Sequence, residues 1–262
     1  MEIKKAVVKV GTSTLTHDTG RMNIRRIELL ARTLADIKNS GAEVVLVSSG
    51  AISVGTGRLG LDKRPESVRE KQAVAAVGQV ELMNLYSTVF GQYGVTVAQL
   101  LLTKDVLDGG ERQKNALATL ETLMKFNVVP VVNENDTIST FEIEFGDNDT
   151  LSAYVATLVG ADLLIILSDI DGLYDRDPRR DANARLIGRV EEITDGVRAL
   201  AGGIGTARGT GGMATKIAAA EIAARAGIST VIANGENPQI LYDIAAGKPR
   251  GTFFCGKPNP RG

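Results

Sequence analysis

Short, almost wholly apolar runs recur along this chain, and helical patterns separate each from the next. "AVVKV" (Ala6–Val10), "EVVLVS" (Glu43–Ser48), "VTVAQLLLT", "VVPVVN", "DLLIILS" (Asp162–Ser168), "STVIAN" and a final "GTFF" read as strands. Between them lie an amphipathic stretch with Ile27, Leu30, Leu34 and Ile37 on one face, closed by Gly41, and a long one from Pro65 to Tyr93. Further helical patterns cover 113–126, a run starting at Asp149, 213–227 and 238–246. Strands this apolar cannot keep one face in water, so the pattern demands a mostly parallel sheet with helices on both faces. At 262 residues, without an internal repeat, low-complexity tract or Pro/Ser-rich linker, the chain is expected to form one domain over 1–262. The hairpin pattern "TISTFEIEFG" interrupts the alternation once, and the tail "CGKPNPRG" reads as a frayed end.

In such sheets ligands bind beyond the carboxyl ends of the strands. Lys9, Ser48–Ser49, Thr103–Lys104, Asn133–Asp136 and Ser168–Asp169 all fall at or just past predicted strand ends. The composition narrows what these residues can do. A single cysteine, Cys255, excludes an internal disulfide and a multi-cysteine zinc site. The single histidine, His17, sits in the polar turn "TLTHDTGRM", away from any nucleophile elbow, so histidine-based nucleophilic catalysis is not expected. A net charge of −1 gives no general attraction to nucleic acid or membrane. No run is long enough to span a membrane, "MEIKKAVVKVG" lacks a signal-peptide core, and a cytoplasmic location is expected. The chemistry therefore falls to lysines, carboxylates, hydroxyls and backbone.

Three motifs offer it. "GTGGMATK" (Gly209–Lys216) precedes the helical run "IAAAEIAARAG", and a glycine turn, a helix N-terminus and a lysine together suit a phosphate. An ordinary helix start after a glycine loop would look the same. Lys9 lies inside an apolar strand, where burial is costly unless it meets an anion or its stem reaches an edge. The "GTST" that follows offers a second glycine turn, so the two lysines suggest a clamp on a polyphosphate. "NENDTISTFEIEFGDND" gathers Glu134, Asp136, Glu142, Glu144, Asp147 and Asp149; its Asx-rich loops suit an ammonium, a Mg²⁺ or both. "GTGRLG" (Gly55–Gly60) fits a dinucleotide pattern but lies within or behind a helical segment. Lys216 is followed by Ile217, so "GTGGMATK" is not a Walker A motif.

In order and spacing, "VVKVGTST", "SSGAISVG", "NENDTIS…FGDNDTLSA", "SDIDGLYDRDPR" and "GTGGMATK" resemble the amino acid kinase family over essentially the whole chain. The combination of "NEND", "FGDND" and "GTGGM" resembles its glutamate-phosphorylating branch. The resemblance implies an α/β fold, an open three-layer αβα sandwich with a mainly parallel central sheet. It also implies ATP-dependent phosphorylation of the γ-carboxylate of L-glutamate, the first step of proline biosynthesis, by direct transfer without a covalent enzyme intermediate. Carried over by motif, Lys9 and Lys216 would be catalytic and Asp149 would orient both. ATP would lie against Lys9, Ser168, Asp169, the loop through 177–179, and Thr210, Gly211, Gly212, Met213, Ala214, Thr215 and Lys216. Glutamate would lie against Ser49, Asp136 and Asn148. Mg²⁺ is expected with ATP, L-proline as feedback inhibitor, and a homo-oligomer as the assembly. Many relatives add a C-terminal PUA domain, which is not expected here. The competing readings are acetylglutamate kinase, whose acylated substrate nitrogen needs no acidic loop, and a non-catalytic amino-acid or nucleotide sensor, which could dispense with one lysine.

Overall fold

The apolar runs become strands of one sheet. The computed structural model describes residues 3–17, 19–107, 109–139, 148–201, 212–248 and 250–256. Within them are β1 (Lys5–Val10), β2 (Glu43–Ser48), β3 (Val97–Leu102), β4 (Val129–Glu134), β5 (Leu163–Ser168), β6 (Arg189–Val190), β7 (Ser229–Asn234) and β8 (Thr252–Phe254). The strand order is β3-β4-β2-β1-β5-β7-β8-β6. Every neighbouring pair is parallel except β7–β8. The helices are α1 (Thr12–Leu15), α2 (Ile24–Asn39), α3 (Ala51–Leu59), α4 (Val68–Gly91), α5 (Lys104–Leu107) and α6 (Glu111–Lys125), then α7 (Asn148–Val159), α8 (Asp195–Leu200), α9 (Met213–Arg225) and α10 (Ile240–Ala245). No helix among the described residues is long and apolar enough to cross a membrane.

The period of two along each strand sorts its side chains into two cores. Val8, Val10, Leu46, Val131, Ile165 and Val231 pack with Ile27, Leu30 and Leu34 of α2 and Leu82, Tyr86 and Phe90 of α4. Val7, Val45, Val47, Val132, Leu164 and Ile166 face the other way, onto α7 and α9 through Ala153, Val155, Ala156, Ile217, Ala220 and Ala223. Small residues on α7 and α9 let those helices lie close to the sheet and to each other. Lys9 shares the register side of Val7, so its ammonium must emerge on the α7–α9 side.

Local chemistry sets the helix ends. Asn23 caps α2 by accepting from the Arg26 N–H at 3.1 Å. Ser67 and Glu70 form a reciprocal capping box at α4. The expected helix at "GTGRLG" is α3, and its glycines serve packing. A Cβ on Gly55 would lie 2.0 Å from the Val74 carbonyl oxygen, and one on Gly57 would lie 2.8 Å from that of Gly20. Gly60 ends the helix at φ 63°. The hairpin pattern falls largely on 140–147, and the tail on 257–262, outside the described residues. The short β6 and α8 have no counterpart in the sequence reading, because two strand residues and a six-residue helix carry too little periodicity to register.

Candidate active site

Strand order, rather than any one motif, decides where a ligand can enter. From β1 the chain builds outward through β2, β4 and β3 on one side, and through β5, β7 and β8 on the other. The order reverses between β1 and β5, and a crevice opens there at the carboxyl ends. Lys9, the second-last residue of β1, and Ser168, the last of β5, stand on its two walls.

Asp149 lies in the first turn of α7, where the helix dipole favours negative charge. Its carboxylate is fully buried, with Lys9 Nζ at 2.5 Å from Oδ1 and Lys216 Nζ at 3.0 Å from Oδ2. The lysines are themselves only 6% and 5% exposed. Burial alone would raise the Asp149 pKa, but the two ammonium groups outweigh it and hold the carboxyl down at about 2. Counted by themselves, the two ammonium groups and the carboxylate sum to one positive charge, which suits an anion. Thr215 Oγ1 lies 2.9 Å from Asp149 Oδ2 and 2.8 Å from the Gly212 carbonyl oxygen, so its single proton serves the carboxylate or the turn.

Glycines keep the approach open. A Cβ on Gly11 would stand 3.8 Å from Lys9 Nζ. Gly212 is extended and caps α9 with no side chain, so the amides of the first turn, at Met213, Ala214 and Thr215, keep their anion-binding character. Thr210 and Gly211, the remaining members of the expected phosphate loop, lie outside the described residues.

Beside the triad is a second buried cluster. Asn148, adjacent to Asp149, donates from Nδ2 towards the Ser48 carbonyl at 3.0 Å, Ser49 Oγ at 3.0 Å and Asn133 Oδ1 at 2.8 Å. Asp136 is buried two residues beyond β4. Ser48 Oγ shares a 2.9 Å hydrogen bond with the hydroxyl of Tyr86, a phenol whose pKa burial pushes up. Gln79 of α4 accepts from Asn133 Nδ2 at 2.9 Å. The sequence reading singled out Ser49, Asp136 and Asn148 but passed over Gln79 and Tyr86, which stand mid-helix without any local motif.

On the other wall, Ser168 is buried, and its hydroxyl donates to Asp169 Oδ1 at 3.2 Å. Its carbonyl accepts from the Gly235 N–H at 2.7 Å, tying β5 to the end of β7. Ser168, Asp169 and Arg179 line a cleft of about 1040 Å³ with Thr12 and Ser13. The structure therefore joins Lys9, Asp149, Lys216 and Thr215 in one contact set and Ser49 with Asn148 in the neighbouring one. Ser168 and Asp169 border a cleft reaching α1. Glu142, Glu144 and Asp147 lie outside the described residues.

The profile of the amino acid kinase family matches residues 4–234. Glutamate 5-kinase of Clostridium perfringens is 56% identical over 97% of this chain and 96% of its own length. Glutamate 5-kinase of Caldanaerobacter subterraneus subsp. tengcongensis is 52% identical over 98% of this chain and 69% of its own. Among solved structures, carbamate kinase from Giardia lamblia bound to AMP-PNP superposes with a TM-score of 0.66 at 16% identity, over 97% of this chain and 99% of that one. UMP kinase from Bacillus anthracis gives 0.65 at 16% identity, over 98% and 97%. At that identity the structures speak for the fold, and the sequence relatives for the branch. The chain belongs to the amino acid kinase family, within the group of glutamate 5-kinases.

Proposed function

We propose that this chain, acting as one catalytic unit, transfers the terminal phosphoryl group of ATP to the γ-carboxylate of L-glutamate. The product is L-glutamyl 5-phosphate, and the step opens proline biosynthesis. The observation that carries the reading is the buried pair of ammonium groups on one carboxylate, at the sheet's switch point, in a chain of this family.

The reaction brings two anions together, so its main demand is fixed positive charge. Lys9 and Lys216 supply that charge at the phosphates, and Asp149 holds both in place before substrate arrives. The first-turn amides of α9, reached through Thr210–Gly212, add donors to the same phosphates. One γ-carboxylate oxygen forms a bond to the terminal phosphorus, the bond from phosphorus to the bridging oxygen breaks, and ADP leaves with that electron pair. The acceptor is already ionised at neutral pH, so no general base is required. Ser49, Asp136 and Asn148 hold the amino-acid end of glutamate, while Ser168 and Asp169 border the nucleoside.

Both Asp149 oxygens are taken by lysines, and the described residues contain no group of three metal-binding side chains. Mg²⁺ carried in by ATP would be held on phosphate oxygens and water. When bound, it would neutralise phosphate charge. The test is ATP turnover with L-glutamate, L-aspartate and N-acetyl-L-glutamate compared, with the acyl phosphate trapped by hydroxylamine. Hydroxamate from L-glutamate alone is the expected result. Hydroxamate from N-acetylglutamate in preference would assign the chain a different substrate.

A further inference from the structure

The hydrogen bonds beside the triad have a direction, and two backbone groups fix it. The Ser48 carbonyl can only accept, so the branch of the Asn148 amide facing it is the NH₂. The Glu134 N–H can only donate, so the branch of Asn133 that it meets at 2.9 Å is the oxygen. That oxygen also accepts from Asn148 Nδ2, which turns the Asn133 NH₂ towards Gln79 Oε1. The chain of amides therefore runs one way, from Asn148 through Asn133 to Gln79. The two N–H groups of Asn148 already face three acceptors, and only Oδ1 is left to offer a ligand. Asn148 Oδ1 is buried and, among the described residues, has no hydrogen-bond partner.

An amide locked in this sense presents an acceptor and no donor. It suits an ammonium and repels a carboxylate. Building on the proposed function, we infer that Gln79 and Asn133 are positioning residues that hold Asn148 Oδ1 out for the α-ammonium of glutamate, and so help select a free amino acid. Gln79 is placed for this by the crossing of α3 and α4. A Cβ on the preceding Gly78 would lie 1.8 Å from the Ala51 carbonyl oxygen and 2.6 Å from the Gly55 nitrogen, so the α4 backbone is seated at a fixed depth there. Removing the Gln79 oxygen leaves the Asn133 NH₂ without its acceptor. The Ser48 carbonyl and the Glu134 N–H still set the sense of the amides, but Asn133 is held by one contact fewer and the aim of Asn148 Oδ1 loosens.

The experiment compares the KM for glutamate, the KM for ATP and the Ki of glutarate, which has both carboxylates and no nitrogen. Gln79→Leu should raise the glutamate KM by about five- to tenfold, the loss expected for a hydrogen bond of about 1 kcal/mol or somewhat more. Glutarate Ki, ATP KM and kcat should stay within about twofold. Gln79→Glu keeps an accepting oxygen and should recover most of the glutamate KM. Should Gln79→Leu melt early, Gln79→Met carries the same expectation, because it keeps the length of the side chain and removes the acceptor that Asn133 meets. Equal losses for glutamate and glutarate, or a Gln79→Glu variant as poor as Gln79→Leu, would overturn the inference. A wild-type protein that turns over no glutamate would instead overturn the proposed function.

Discussion

Asp149 shows how a single residue can set both charge and shape. Removing one lysine from the triad takes its net charge from positive to neutral, which a buried site tolerates; removing the carboxylate leaves two buried ammonium groups facing each other. Lys9→Ala and Lys216→Ala should therefore fold, with kcat reduced on the order of a hundredfold or more by the loss of a charged contact to the transferring group. Steady-state kinetics beside thermal melts check this, and near-normal kcat in both variants would remove the lysines from the mechanism. Asp149→Asn should lose stability as well as activity. The Asp149 carboxyl is depressed from 3.8 to about 2, so its stabilisation is present above about pH 4 and drains away as pH falls through about 2. The advantage of wild type over Asp149→Asn in urea titrations should shrink by about 1 kcal/mol between about pH 5 and about pH 3; an advantage that grows instead would contradict the sign. Lys9 was legible in the sequence because a charge inside "AVVKV" is conspicuous. Gln79 was not, since its partner lies 54 residues away and nothing local marks it.

Between elements, the most exacting contact is the crossing of α3 and α4, where Gly55 and Gly78 stand in for side chains that would not fit. Gly78→Ala drives a methyl into the Ala51 carbonyl and should cost about 2 kcal/mol or more through backbone displacement. Gly91→Ala, at the other end of the same helix, meets nothing within 4 Å and should be neutral or stabilising by up to about 1 kcal/mol. Denaturant midpoints for the two variants test the contrast; equal effects would mean that helix propensity, and not the crossing, governs both. From the sequence, "GTGRLG" could be separated from a dinucleotide loop by its helical setting, but the reason for its glycines appears only once α4 lies across them. The long strands were legible to within about two residues because their apolar runs are bounded by turns. The antiparallel pairing of β7 with β8 was not, because alternation alone carries no strand direction.

At the scale of the molecule, the proposed function divides the work at the β1–β5 switch point: the ends of β2 and β4 and the start of α7 would hold the amino-acid end, while β5 and α9 would hold the nucleotide end. The adjacent pair Asn148–Asp149 links them, one residue in each cluster. A ligand that mimics only the amino-acid end should thus compete with glutamate and leave ATP affinity alone. L-Proline is such a ligand. It shares the α-carboxylate and a cationic nitrogen with glutamate, so Asp136 and the Asn148 acceptor can receive its nitrogen. It has no γ-carboxylate to receive phosphate, so it would occupy the site unproductively. The predicted pattern is inhibition that rising glutamate relieves at saturating ATP, with ATP KM unchanged. Asp136→Ala should weaken glutamate and proline together, by about tenfold or more each, because a buried carboxylate that meets a cation is lost to both. Initial rates against glutamate at several proline concentrations, in wild type and Asp136→Ala, test both statements. Inhibition that glutamate cannot relieve would place proline elsewhere. An Asp136→Ala enzyme that loses glutamate but still binds proline as before would separate the two sites.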